Sequence, residues 1–452
     1  MAENNCPVCR GTDIALLLEI GQMPIHCNLL WPTREEALQA PRGDIQLAFC
    51  KSCGHLFNPL FRPDLMEYGG AYENSLHFSA RFQEYAATLA ARLVERYDLR
   101  AKTILEIGCG QGDFLRLLCR LGGNRGIGFD PSYRPEQGEP GATHFCEAPP
   151  PAPASPLPRP ARRPKGGRGG RALGTKPRGP GKRSGGGRGA KGVAPKTWDT
   201  PLEQVTFIQD FYSPRYAAYE PDLICCRHVL EHMPRPRDFL SLVRRAMGAR
   251  SAARVFFEVP NVMFTLKDLG IWDLIYEHPS YFSPSSLAHL FTSCGFEVCD
   301  LGEAYAGQFL CIEAQPRAGP RKRDLAAELA SLAELGALAA DFAQQYRSKR
   351  EDWRRTLAGM AGAGRRALVW GAGSKGVTFL NALAVRDQVR YVVDVNPRKQ
   401  GMYVAGTGQQ IVPPEFLRDH PADVVIVMNP IYLAEIQQIT HSLGLTPQLI
   451  VA

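Results

Sequence analysis

The stretch Ile104-Leu105-Glu106-Ile107-Gly108-Cys109-Gly110-Gln111-Gly112-Asp113-Phe114-Leu115 decides how the rest of the chain is read. A short apolar run ends in Glu-x-Gly-x-Gly-x-Gly, and Phe114, Leu115, Leu117 and Leu118 continue it as one face of a helix. The spacing predicts a buried strand, a tight glycine turn and the start of a helix. Glycines let a ligand approach the backbone, and the helix N-terminus faces it. A second strand, Arg125 to Asp130, ends in an acid, and an acid at that place suits a ribose diol. The dinucleotide fingerprint G-x-G-x-x-G would need a glycine at position 113, where Asp113 stands. The plain alternative is a glycine turn that holds no ligand.

Length and composition bound what surrounds this turn. At 452 residues, several domains are expected. No apolar run is long enough to span a membrane, and Met1 to Asn5 has no signal-peptide core. Thirteen cysteines, an odd number scattered mostly through apolar strands, suit a reducing cytoplasm better than a disulfide framework. The net charge of +8 is misleading, because residues 149–198 hold thirteen Lys and Arg and no Asp or Glu. Without them, 40 basic residues face 45 acidic ones, a net of −5, and nothing in that balance asks for nucleic acid.

The chain opens with Cys6-Pro7-Val8-Cys9, and Cys50-Lys51-Ser52-Cys53-Gly54-His55 answers it. Two Cys-x-x-Cys knuckles supply four thiolates, the ligand set of a structural tetrahedral zinc. A closed site of four cysteines has no open position for catalysis. His26 and Cys27 lie between the knuckles and read as a loop histidine and a buried cysteine rather than as ligands. Beyond them, Tyr68 to Ser79 is polar and aromatic without a period, and an amphipathic helix runs through Phe82, Tyr85, Leu89, Leu93 and Tyr97.

After Asp130 the strand–helix pattern breaks. Residues 149–198 hold twelve Gly and eleven Pro with scarcely a large apolar side chain, too little to offset the entropy of ordering. The segment reads either as a flexible basic loop for anionic partners or as an insertion without function, and the second is favoured, since basic binding arms interleave aromatics or helix formers and this one does not. The pattern resumes with Val205-Thr206-Phe207-Ile208 followed by Asp210-Phe211, then with strands at Pro221 to Cys226 and Arg254 to Asn261. Two last strands flank Gly302 to Gln308. Such alternation implies a largely parallel sheet with ligands at its C-terminal edge. Residues 324–358 read as a connecting helix with Leu325, Leu329, Leu332, Leu338 and Phe342 at helical spacing. A second α/β unit follows. Its strand Ala367 to Trp370 leads into Gly371-Ala372-Gly373-Ser374-Lys375-Gly376, a true G-x-G-x-x-G, and Asp394 ends the next strand. That unit alone fits dinucleotide binding, another phosphate, or no ligand.

The Glu-x-Gly-x-Gly-x-Gly form resembles the first motif of the S-adenosylmethionine-dependent methyltransferases. The whole order resembles the bacterial C-methyltransferases that act on nucleotide-linked keto-sugars. The carrying residues are the two cysteine knuckles, Tyr72-Glu73-Asn74-Ser75-Leu76-His77-Phe78-Ser79, the first glycine motif and Arg227-His228-Val229-Leu230-Glu231-His232. Tyr276-Glu277-His278 with Ser280-Tyr281-Phe282-Ser283, and the terminal G-x-G-x-x-G, complete the set. Sugar-methylating members often carry Tyr-His-Glu-His, so this chain is one histidine short at Tyr276-Glu277-His278.

The resemblance implies an α/β chain in three parts: a small N-terminal zinc-binding domain with a substrate loop (1–80), a class I methyltransferase Rossmann-like domain (81–315), and, after a connecting helix (316–358), a second Rossmann-like C-terminal domain (359–452). It implies S-adenosylmethionine as cofactor on Glu106, Gly108, Gly110, Gly112 and Asp130, with Asp210 and Phe211 beside the adenine. Structural zinc would sit on Cys6, Cys9, Cys50 and Cys53. It implies His278 as base, with Glu277, His228, Tyr72 and Tyr276 lining the catalytic site. Gly371, Gly373, Ser374 and Lys375 are expected to face a substrate phosphate, since a glycine turn and a helix N-terminus favour an anion.

The chemistry agrees with this set. Methylating carbon needs a carbanion equivalent, and imidazole suits removal of a proton beside a ketone. A tyrosine hydroxyl or a second histidine can donate to the enolate. His232 reads as a packing residue. The expected partner is a nucleotide-linked keto-sugar, with no nucleic acid and no membrane, and the expected state is a monomer or weak homodimer in the cytoplasm. The rival readings are methylation of a different small molecule, an NAD-dependent oxidoreductase using the C-terminal fingerprint, and a zinc-bearing adaptor that has lost activity.

Overall fold

The computed structural model describes residues 5–66, 72–134, 204–248, 250, 252–317 and 325–452. The basic segment 149–198 and the start of the loop before Tyr72 lie outside the described residues. Three sheets are present among the described residues. The first begins with a long hairpin, β1 (Ile14–Pro24) against β2 (Arg42–Cys50), with the short helix α1 (Arg34–Leu38) in its connection. Strand β3 (Leu56–Phe57) pairs with β2. The hairpin fills the long gap between the two cysteine knuckles.

Helix α2 (Ala80–Arg96), capped by Ser79, buries Phe82, Ala86, Leu89, Ala90 and Leu93 as the 3.6 period requires. It leads to β4 (Thr103–Ile107), α3 (Asp113–Gly122), β5 (Arg125–Phe129), β6 (Val205–Ile208), β7 (Leu223–Arg227), α4 (Pro236–Ala246), β8 (Arg254–Pro260) and α5 (Val262–Lys267). Strand β9 (Ser280–Tyr281) leaves this unit and pairs antiparallel with β3, so the loop carrying Tyr276, Glu277 and His278 is stitched to the N-terminal sheet. Helix α6 (Pro284–Ser293), β10 (Phe296–Ala304) and β11 (Phe309–Pro316) follow.

The seven-stranded sheet has the order β10-β11-β8-β7-β4-β5-β6, parallel except at β11, which runs antiparallel to both its neighbours. This is the class I methyltransferase arrangement. From β4 the chain moves one way to β5 and β6, then returns to β7 and β8 on the other side. The crevice beyond the ends of β4 and β7 is the switch point where such sheets bind ligands. The turn at Gly108 and the residue His228 both emerge there.

Helix α7 (Leu325–Gly362) is 38 residues long. Its buried residues include Leu335, Ala339, Phe342 and Tyr346; of the positions that spacing picked out, Phe342 is buried and Leu332 and Leu338 are half-buried. The last sheet, all parallel, has the order β14-β13-β12-β15-β16, from β12 (Ala367–Trp370), β13 (Val389–Val393), β14 (Gln410–Val412), β15 (Val424–Val427) and β16 (Gln448–Val451). Helices α8 (Ser374–Ala382) and α9 (Leu433–Ser442) cover it. Its own switch point lies between β12 and β15. Apolar side chains of the first hairpin, α7, α8 and β12 form one cluster with Trp272 and Tyr276. The N-terminal hairpin has too little surface for a core of its own and shares one with the C-terminal unit.

Candidate active site

A single cavity of about 720 Å³ takes its walls from all three sheets. On the β4 side, Gly108 has φ +70°, and a Cβ there would stand 2.1 Å from the Val229 side chain. A Cβ on Gly112 would stand 2.2 Å from the Phe207 ring. The turn is therefore closed to any residue but glycine at both places. Gly112 packs on Phe207 and shapes the turn from behind, while Gly108 and Gly110 line the cavity. Asp130 accepts from the Gly110 amide at 2.8 Å, and from the Ser132 amide at 2.8 Å and hydroxyl at 2.6 Å. Glu106 is 2% exposed, and its Oε2 has no hydrogen-bond partner. Burial pushes its carboxyl up to about 8, against the opposing pull of Arg227. Asp210 and Phe211 line the same cavity, the carboxylate held by Tyr216 and Arg215 and the ring 59% exposed.

The β7 side carries a buried charge network. Arg227 binds Glu258 through Nη2 at 2.8 Å and Nε at 3.1 Å. His228 sits between two acids, with Nε2 3.0 Å from Glu258 and Nδ1 3.6 Å from Glu231. Burial pulls its imidazole down, but hydrogen bonding and charge from Glu231 and Glu258 outweigh this and lift it to about 9. Its backbone has φ +55°, a left-handed conformation that costs a non-glycine residue free energy and clusters at functional sites. Tyr85 donates to the other Glu258 oxygen. Burial pushes Glu258 up, yet Arg227 and His228 overcome that and hold it well below the carboxylate range.

His278 shows the opposite environment. Burial pushes it well below the ordinary histidine range, and His232 and His228 add to the effect. It is a neutral imidazole at pH 7 in the cavity wall. The His232 ring stands 4.7 Å from it, nearly perpendicular. His232 donates from Nδ1 to the Glu277 carbonyl at 3.0 Å. His232 therefore belongs to the cavity wall and is not merely packing, which corrects the sequence reading. No spacing rule marked it; a 3-10 turn at Leu230–His232 after β7 brings it there.

The neighbours of His278 point elsewhere. Glu277 is fully buried behind the wall, where it accepts from the Cys27 and Asn28 amides and from the Tyr72 hydroxyl, the last at 2.6 Å. It holds Tyr72, which lines the cavity, and is not itself a wall residue. Tyr276 turns away altogether: its hydroxyl accepts from the Arg62 amide at 3.0 Å and its ring packs on Phe61. Its expected place in the catalytic set is corrected. Tyr276 and Glu277 are the central residues of a turn closed by the His278 amide on the Ile275 carbonyl at 3.2 Å, so their side chains leave it on different sides just before β9 pairs with β3.

The third wall is the C-terminal glycine turn. Gly371, Gly373, Ser374 and Lys375 all line the cavity. Asp394 accepts from the Ala372 amide at 2.8 Å and the Asn396 amide at 2.8 Å, repeating the arrangement at Asp130. Lys375 does not stand free to meet a phosphate, because its Nζ lies 2.5 Å from Asp273.

Away from the cavity, Cys6, Cys9, Cys50 and Cys53 place their sulfurs within 4.8 Å of one another. The Cys6–Cys53 distance is 3.6 Å and Cys9–Cys50 is 3.5 Å. Tetrahedral zinc with bonds of about 2.3 Å would set sulfurs roughly 3.8 Å apart, so the cluster fits the metal. His26 and Cys27 are buried outside it.

Two family models match parts of the chain. Residues 79–301 match the model of a methyltransferase domain, and residues 316–451 match that of the C-methyltransferase C-terminal domain. The C-methyltransferase NovU of Streptomyces niveus is 27% identical over 222 residues, covering 47% of this chain and 52% of that protein. The chain thus spans about half the length of the curated relative it matches. Among solved structures, the riboflavin-analogue dimethyltransferase RosA of Streptomyces davawensis aligns at 16% identity and a TM-score of 0.31, covering 52% of this chain and 54% of that one. Magnesium protoporphyrin IX methyltransferase of Synechocystis PCC 6803, with bound S-adenosylhomocysteine, aligns at 12% identity and 0.31, covering 54% and 89%. The fold rests on the strand order, not on superpositions this loose.

Proposed function

We propose that this chain is an S-adenosylmethionine-dependent C-methyltransferase that removes the proton beside a ketone and methylates that carbon, on a nucleotide-linked keto-sugar. The reading is carried by two imidazoles in opposite settings in one cavity, His228 between the Glu231 and Glu258 carboxylates and His278 buried against His232, which favour the charged form of the first and the neutral form of the second. Environments that push two titratable groups apart assign the acid and the base. His278 takes the proton. His228, kept charged between Glu231 and Glu258, stabilises by its charge the oxygen that becomes negative. Tyr72, held by Glu277, positions the substrate from the opposite side.

S-adenosylmethionine would supply the methyl group. Glu106, Gly108, Gly110 and Asp130 would hold it, with Asp210 and Phe211 at the adenine. The buried Glu106 carboxyl has a partnerless oxygen, and the cofactor's ammonium would favour its ionised form and bind there. Asp130→Ala should weaken S-adenosylhomocysteine binding by about 1–3 kcal/mol. Titration calorimetry checks this, and unchanged affinity would remove Asp130 from the site. Gly371, Gly373 and Ser374 would face the phosphate of the substrate. A mass-spectrometric screen for methyl transfer onto nucleoside-diphosphate keto-sugars tests the function as a whole.

We infer also that Cys6, Cys9, Cys50 and Cys53 hold one structural zinc, since the site is closed and far from the chemistry. Purified protein should contain one equivalent of zinc, and Cys50→Ser should lose it and melt at a lower temperature. Folded wild-type protein without metal would reject the assignment.

A further inference from the structure

Two lysines, Lys375 and Lys399, line the C-terminal wall, Arg398 adjoins the second in sequence, and the neutralisation of the three differs. Lys375 is paired with Asp273 at 2.5 Å, and Arg398 with Glu73 at 3.2 Å. Lys399 is only 5% exposed, yet its Nζ contacts just two neutral oxygens, the Ala372 carbonyl at 3.1 Å and Asn28 Oδ1 at 3.3 Å. No carboxylate among the described residues lies within ion-pairing distance of it. A buried ammonium without a counter-charge is costly unless something anionic joins it. Lys399 lines the cavity, and so do Gly371 and Gly373. No side chain caps the first turn of α8, and nothing stands within 4 Å of the space a side chain on Gly373 would fill.

We propose that Lys399, not Lys375, is the charged group that binds a phosphoryl anion of the substrate, on the glycine turn Gly371 to Gly373. The proposal rests on the substrate class given above and names the residue that recognises its charge. The glycine turn and the amides of α8 suit phosphoryl oxygens, and Lys399 adds the point charge. Asn28 ties this group to the chemistry, because its amide donates to the same Glu277 carboxylate that holds Tyr72. Lys375 and Asp273 neutralise each other and serve as a cross-strut between the second and third sheets.

The test is calorimetric titration of inorganic pyrophosphate into the zinc-loaded full chain with S-adenosylhomocysteine present. Lys399→Met should weaken pyrophosphate binding at least about tenfold, and Lys375→Met less than about threefold. The melting temperature of Lys399→Met should not fall, since the change removes an uncompensated buried charge. Asn28→Asp keeps the lysine and puts a carboxylate beside it, so it should weaken pyrophosphate as well. Wild-type affinity in both Lys399→Met and Asn28→Asp, or a larger loss in Lys375→Met than in Lys399→Met, would overturn the assignment. So would no pyrophosphate binding by the wild type. S-adenosylhomocysteine affinity reports separately on the first glycine motif, so its failure would count against the methyltransferase reading and leave this anion site standing.

Discussion

His278→Asn should lower the rate of methyl transfer by about 100- to 10,000-fold while leaving affinity for S-adenosylhomocysteine unchanged. The separation follows from position: His278 lies in the wall beside His232, and the cofactor residues emerge from β4 and β5. A neutral imidazole is the form that accepts a proton, and burial with two neighbouring histidines keeps it neutral. Exchange of the substrate proton with deuterated water, with S-adenosylhomocysteine in place of the donor, isolates this step. The wild type should exchange and the variant should not. Wild-type exchange in the variant would move the role of base to another residue.

Glu258→Gln should destabilise the fold by about 3–5 kcal/mol, the usual cost of removing one partner from a buried ion pair. Glu258 is fully buried and serves Arg227, His228 and Tyr85 at once, so its loss strands a guanidinium and an imidazolium. Chemical denaturation of both proteins checks the magnitude. The pH dependence gives a second signature. The folded-state value of His228, about 9, is above that of a free histidine, so the folded protein binds the extra proton. Its contribution to stability is complete below about pH 6.5 and is lost as pH rises through 9. In Glu258→Gln the loss should move to lower pH. An identical alkaline stability profile in the two proteins would show that Glu258 does not hold that proton.

Much of the fold was legible because periodicity survives translation into structure. Alternating strands and helices, the glycine turn after β4 and the acid after β5 were readable from apolar spacing and turn chemistry alone. The four cysteines were readable because ligand spacing within a knuckle is local. What was not legible depends on distant pairing. Tyr276, Glu277 and His278 read as one catalytic loop, but the turn that leads into β9 sends Tyr276 toward Arg62 and Glu277 behind Tyr72. Lys375 read as a phosphate ligand until Asp273, about a hundred residues earlier, closed on it. In α7 the spacing picked out Phe342 but not Leu335, Ala339 and Tyr346, which share a cluster with residues of the N-terminal hairpin and α8, both distant in sequence.

The central claim is that the bond formed is to carbon. The direct measurement is carbon-13 NMR of the product after reaction of a nucleoside-diphosphate keto-sugar with methyl-labelled S-adenosylmethionine. The account predicts a label in the range of a methyl group on carbon, with the proton beside the ketone lost from the substrate. A label in the range of an O-methyl or N-methyl group would contradict it.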